Sequence, residues 1–116
     1  MNVQELVREF ADCVAGQSEA IAKGDPILGN QFAKRFTAAF EQIRASGDEG
    51  RHALTTLLVD DRADVRVMAA AYLLRHKHAQ AKAVLEAEAK GDGLIAFGAA
   101  QALQRWKEGA WALDPE

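Results

Sequence analysis

Asp61–Leu74 reads DRADVRVMAAAYLL and is the most regular stretch of the chain. Val65, Met68, Ala69, Tyr72 and Leu73 recur at helical spacing. Val67, Ala71 and Leu74 form a second apolar line on the opposite side. A helix apolar on both sides is buried on both sides, so this one belongs in the middle of the molecule with other helices around it. Asp61 is placed to cap it, Asp64 lies in its first turn, and Arg75, His76 and Lys77 put positive charge at its negative end.

Outward from this helix, the rest of the chain also reads as helices. Asn2-x-x-Glu5 has the form of a capping box and opens a first helix running to about Lys23. Its apolar stripe is Val3, Leu6, Val7, Phe10, Cys13, Val14, Ala20 and Ile21. Gly16 and Gln17 interrupt that stripe, which predicts either a kink or the close approach of another segment. Gly24-Asp25-Pro26 is a stop followed by a start: Gly ends one helix, Asp caps the next and Pro takes its first position. The second helix runs to about Ala45, with Phe32, Phe36, Phe40 and Ile43 as its core face. A short third helix, from about Asp48 to Val59, turns Ala53, Leu54, Leu57 and Leu58 inward. A fifth spans about Ala79–Lys90 with Ala83, Val84 and Ala87 inward. Asp92 is placed to cap a sixth, which carries Ile95, Ala99, Ala102, Leu103 and Trp106 on one face and stops at Gly109. A tail with Trp111 and Leu113 follows.

Composition agrees with an all-α chain. Two prolines in 116 residues, and few β-branched residues beside many Ala, Leu, Glu and Gln, favour helix over strand. The net charge is −3, spread evenly, so the basic footprint of a nucleic-acid or anionic-membrane binder is missing. No apolar run approaches membrane-spanning length, and MNVQELVREF lacks the blocks of a signal peptide, so a cytoplasmic location is expected. The single cysteine, Cys13, excludes an intrachain disulfide and a multi-cysteine zinc site, and its place on the stripe predicts a buried, inert thiol.

The fourth and sixth helices repeat. Val65–Leu73 precedes Ile95–Leu103 by 30 residues, with the Ala-Ala pairs aligned, and each is preceded by a shorter helix carrying paired apolar residues. A helix-pair unit recurring at this period is the sign of an α-solenoid. Asp61-x-x-x-Val65-Arg66-x-x-Ala69-Ala70-x-x-Leu73 resembles the second-helix signature of a HEAT repeat. The copy at 92–103 keeps the Asp and the alanines and has Ala96 in place of the Arg. Residues 48–109, closing on Leu103, Trp106 and Gly109, resemble a short bacterial HEAT-like family of unknown function. The resemblance implies an α-α superhelix of six helices in three antiparallel pairs within one domain: a divergent pair at 1–46, pairs at 48–75 and 79–109, and a tail at 110–116. It implies a binding scaffold and brings no catalytic residue.

Candidate chemistry is sparse. His76-x-His78 is the closest histidine pair, but residues two apart on a helix diverge and no third ligand follows at metal spacing. Asp60, Asp61 and Asp64 read as helix-start carboxylates. No phosphate loop or nucleophile motif is present, so no catalytic, cofactor or metal residue is assigned and no enzyme activity is expected. The expected function is binding another protein, as a toxin-neutralising immunity protein or an adaptor, with no nucleic-acid or membrane partner. The alternatives are a HEAT-like enzyme of the DNA glycosylase or bilin lyase kind, and a structural part of a homo-oligomer. Partner-binding candidates are Arg66, Phe97, Gln101, Gln104 and Trp111. Arg66 is expected to pair locally with the three aspartates. Phe97, off the inward stripe beside Gln101 and Gln104, is either covered by Trp111 and Leu113 of the tail or left as an aromatic anchor.

Overall fold

In the computed structural model, residues 1–111, 113 and 114 are described. Among them are six α-helices and one 3₁₀ turn, and no strand: α1 (Val3–Ala22), α2 (Pro26–Ala45), α3 (Asp48–Leu54), the turn Thr55–Val59, α4 (Ala63–Leu73), α5 (His78–Ala89) and α6 (Gly93–Lys107). The chain forms two compact units, Met1–Leu57 and Leu58–Glu116, whose boundary falls inside the 48–75 segment.

The first unit is a long hairpin of α1 and α2 with α3 packed on both. The capping box that opens α1 is complete: the Glu5 amide donates to Asn2 Oδ1 (2.8 Å) and the Asn2 amide to Glu5 Oε1 (3.2 Å). Asp25 caps α2 by accepting from the Leu28 amide at 3.0 Å, with Pro26 in the first turn as the sequence predicts. Phe10, Cys13, Val14, Phe36, Phe40 and Ile43 fill the space between the two helices, with Phe10 set edge-on to Phe36 at 5.7 Å. The Gly16 interruption is a close approach and not a break. α1 runs straight through it, and the Phe32 ring lies so near that a Cβ at Gly16 would meet it at 2.7 Å. Outside this core the Arg35 guanidinium forks onto the Glu9 carboxylate (3.1–3.3 Å), tying α2 to α1. α3 crosses close to the end of α2 because Gly50 faces the Ile43 carbonyl, where any Cβ would collide with the oxygen.

The second unit packs α4, α5 and α6 against one another. Ala69 to Leu74 are buried without a break, so α4 is covered on both sides, as two apolar lines require. Three details differ from the sequence reading. Asp61 does not cap α4. The cap position is Arg62, whose amide donates to Asp60 Oδ2 (3.0 Å), while Asp64 accepts from the Val65 amide (2.8 Å). Asp92 holds the cap position of α6 but makes no side-chain capping bond. The inward face of α5 is also rotated from expectation, burying Ala81 and Leu85 while Ala83 and Ala87 are exposed; on α6 Ala99 and Ala102 are buried as expected, with Ala96 beside them, while Ile95 is exposed. On α6 the packed face is lined by alanines, small enough for close packing, and the larger Ile95 stays outside it; on α5 the larger Leu85 is the residue that turns in.

Candidate functional site

The residues singled out in the sequence fall into two groups, and the structure gives them different work. Arg66 and Trp111 are engaged inside the second unit, whereas Phe97, Gln101 and Gln104 lie on its open surface.

Arg66, on the second turn of α4, is half-buried. Its Nε and Nη2 donate to Glu88 Oε1 of α5 (3.1 and 2.6 Å), and its Nη1 donates to the backbone carbonyls of Asp60 (2.7 Å) and Asp61 (3.1 Å). The expected ordering of the turn before α4 is present, but it runs through carbonyls. The acid is Glu88, 22 residues away on the neighbouring helix, and not one of the three aspartates. Asp64 instead takes the Arg62 guanidinium at 2.9–3.0 Å. Nothing short-range in the sequence marks Glu88; the pairing exists because α5 packs back along α4.

The tail folds back, though onto α4 and not over Phe97. The Trp111 indole N–H donates to the Ala71 carbonyl (2.7 Å) and the Arg75 Nε to the Asp114 carbonyl (3.0 Å). The Asp114 carboxylate is buried beside His76, whose Nε2 lies 3.6 Å from its Oδ2. His78 turns the other way: its ring lies over Trp106 of α6 at 5.2 Å and its Nδ1 sits 3.3 Å from the Leu74 carbonyl. The two histidines therefore diverge, and among the described residues no group of three or more His, Cys, Asp or Glu could hold a metal ion. Sequence reasoning missed Asp114, whose burial depends wholly on the path of the tail.

Cys13 is buried between α1 and α2. Burial first, and then the Glu9 carboxylate, push its thiol above the ordinary value of 9.0, against the pull of Arg35 in the opposite direction. Such a thiol is a poor nucleophile at neutral pH.

Of the residues singled out in the sequence, those on the outer face of α6 remain open. Leu94 is 78% exposed and Phe97 62% exposed, and Gln101, Gln104 and Glu108 continue the same helical line. The Gln104 amide donates to Glu108 Oε2 at 2.8 Å. Buried Ala96, Ala99 and Ala102 hold the opposite face of α6 against its neighbours, which presents the line to solvent. Leu94 was missed in the sequence although its signal was there: it stands one helical turn before Phe97.

A small all-helical protein with an exposed apolar helix face is the class that fold and site define. No family model and no curated protein matches the chain. Its fold is similar to that in the crystal structure of the protein RPA1889 from Rhodopseudomonas palustris CGA009, with a TM-score of 0.88 at 24% sequence identity, over 94% of this chain and 91% of that one. No helix among the described residues is long and apolar enough to cross a membrane.

Proposed function

We propose that this chain is a protein-binding module whose contact surface is the outer face of α6. The observation that carries the reading is the exposure of Leu94 and Phe97 side by side on one line of a helix whose other face is packed. Large apolar side chains left in water cost free energy that a partner recovers, and aromatic residues anchor such contacts. Arg66, a partner-binding candidate from the sequence, joins α4 to α5 and to the preceding turn, and His78 packs against Trp106, which leaves the α6 face as the open part of the candidate set. The resemblance of residues 61–73 to a HEAT second helix adds to it, since repeats of that kind serve as scaffolds for partners. Two roles fit a module this small: an immunity protein that neutralises a toxin, or an adaptor.

The test is affinity capture with the wild-type chain and with Phe97→Asp as parallel baits, followed by mass spectrometry. The reading expects a protein retained by the first and lost by the second, with both baits melting alike. Identical protein sets on the two baits would overturn it.

A further inference from the structure

We infer that the C-terminal end of α4 is a slot for an extended segment of another protein, one that carries tryptophan and, three residues later, glutamate. The inference is independent of the α6 face. The slot is seen through its present occupant, the chain's own tail. Ala110, Trp111, Leu113 and Asp114 are not helical, and they meet the second unit as a short ligand meets a receptor. The Trp111 indole N–H donates to the Ala71 carbonyl (2.7 Å), and the Arg75 Nε donates to the Asp114 carbonyl (3.0 Å). Ala71 lies in the last turn of α4, where carbonyls lack a donor within the helix and take one from outside. The indole and the main chain thus set the register of whatever lies in the slot.

The fit fails at one atom, and that atom selects the partner. His76 Nε2 is shut off from solvent and makes no hydrogen bond. It stands 3.6 Å from Oδ2 of the buried Asp114 carboxylate, close enough for charge attraction but too far for a hydrogen bond. A buried polar atom left unmet costs free energy that a better-fitting ligand recovers. Glutamate is one methylene longer than aspartate. With tryptophan and the main-chain carbonyl kept on Ala71 and Arg75, its carboxylate comes within bonding reach of the protonated Nε2. Arg75 and Lys77 flank His76 in the chain and favour an acidic segment. The tail of this chain, bound in cis or lent by a second copy, carries the same aspartate and the same shortfall. The misfit therefore singles out a segment of a different protein, with the tail as a resident that such a segment displaces.

The test is a nuclear magnetic resonance titration of the isotope-labelled full chain carrying Trp111→Ala, which vacates the indole position. The probes are two six-residue peptides of positions 111–116, one unchanged and one carrying Asp114→Glu, added to about 2 mM, above the range expected of a ligand with so few contacts. The Asp114→Glu peptide should shift the amide signals of residues 71–76 and bind about tenfold more tightly than the unchanged peptide, the worth of one charged hydrogen bond. A peptide that also carries Trp111→Ala should not bind. His76→Ala, added to the chain, should remove the preference for the longer acid and leave affinity for the unchanged peptide as it was. Equal binding of the two acids overturns the inference, as does binding that survives loss of the indole, or no binding to a chain that still melts cooperatively. If the Trp111→Ala chain does not melt cooperatively, the wild-type chain decides: the Asp114→Glu peptide must move its Trp111 indole N–H signal to that of a solvent-exposed indole, and a signal that stays in place overturns the inference. The α6 face is judged separately, by the Phe97→Asp bait.

Discussion

Two glycines with opposite surroundings show how much a single position decides. Gly50 faces the Ile43 carbonyl at the crossing of α2 and α3, and Gly98 on α6 faces open space. Gly50→Ala must push backbone against backbone and should cost about 1–3 kcal/mol, the range of overpacked cores. Gly98→Ala adds a methyl where nothing stands, removes unfolded-state freedom, and should stabilise by about 0.5–1 kcal/mol. Chemical denaturation of both variants checks the pair; equal effects would mean that the crossing relaxes freely. Arg66 gives a third case. With four hydrogen bonds, two of them to Glu88 at half-buried positions, Arg66→Ala should cost about 1.5–3 kcal/mol, where an exposed pair would give less than 1. Arg66→Lys should recover little, because an ammonium cannot reach carboxylate and carbonyls at once. Cys13 sets a pH dependence. Its raised thiol value means that the folded chain keeps a proton which the unfolded chain releases above 9.0, so this contribution to stability is lost as pH rises past that value. Cys13→Ala should therefore flatten the fall in stability between neutral and strongly alkaline pH, read as the difference between the two pH profiles.

At the scale of elements, helix existence was legible throughout, and helix rotation only where a large apolar stripe marks one face. The capping box at Asn2, the Asp25-Pro26 start and the phenylalanine face of α2 are local signals, written within a few residues and obeyed in the structure. α5 shows the limit. Its alanines at 79, 81, 83, 87 and 89 surround it almost evenly, so periodicity offers no preferred face. Leu85 and the reach of Glu88 to Arg66 settle which side turns in. α4 was the easier case because an element apolar all round has no rotation to misjudge. Its prediction is correspondingly sharp: Ala69 is fully buried, and Ala69→Arg should abolish cooperative folding, since an unpaired buried charge costs several kcal/mol against a marginal total. A soluble variant melting near the wild-type temperature would refute that.

For the molecule as a whole, the tail carries the clearest consequence. A chain ending at Gly109 loses the Trp111 bond to the Ala71 carbonyl, the Arg75 bond to the tail backbone and the buried Asp114. Truncation should lower the melting temperature while leaving Phe97 as exposed as before, so association through α6 should persist in the shortened chain. Unchanged melting would mean that the tail contributes nothing to the second unit. The sequence by itself determined the helical class, the number of helices, their starts where a side chain caps its own neighbours, and the inert setting of Cys13. Each of these is an interaction between residues a few positions apart, or a sum over composition. Tertiary structure alone decided which face of α5 turns inward, that Ile95 of α6 stays out, that Arg66 finds Glu88, and that the tail lies along α4 and leaves Leu94 and Phe97 in solvent. Those outcomes depend on contacts between residues 20 or more positions apart, a property of two packed surfaces that neither segment carries alone.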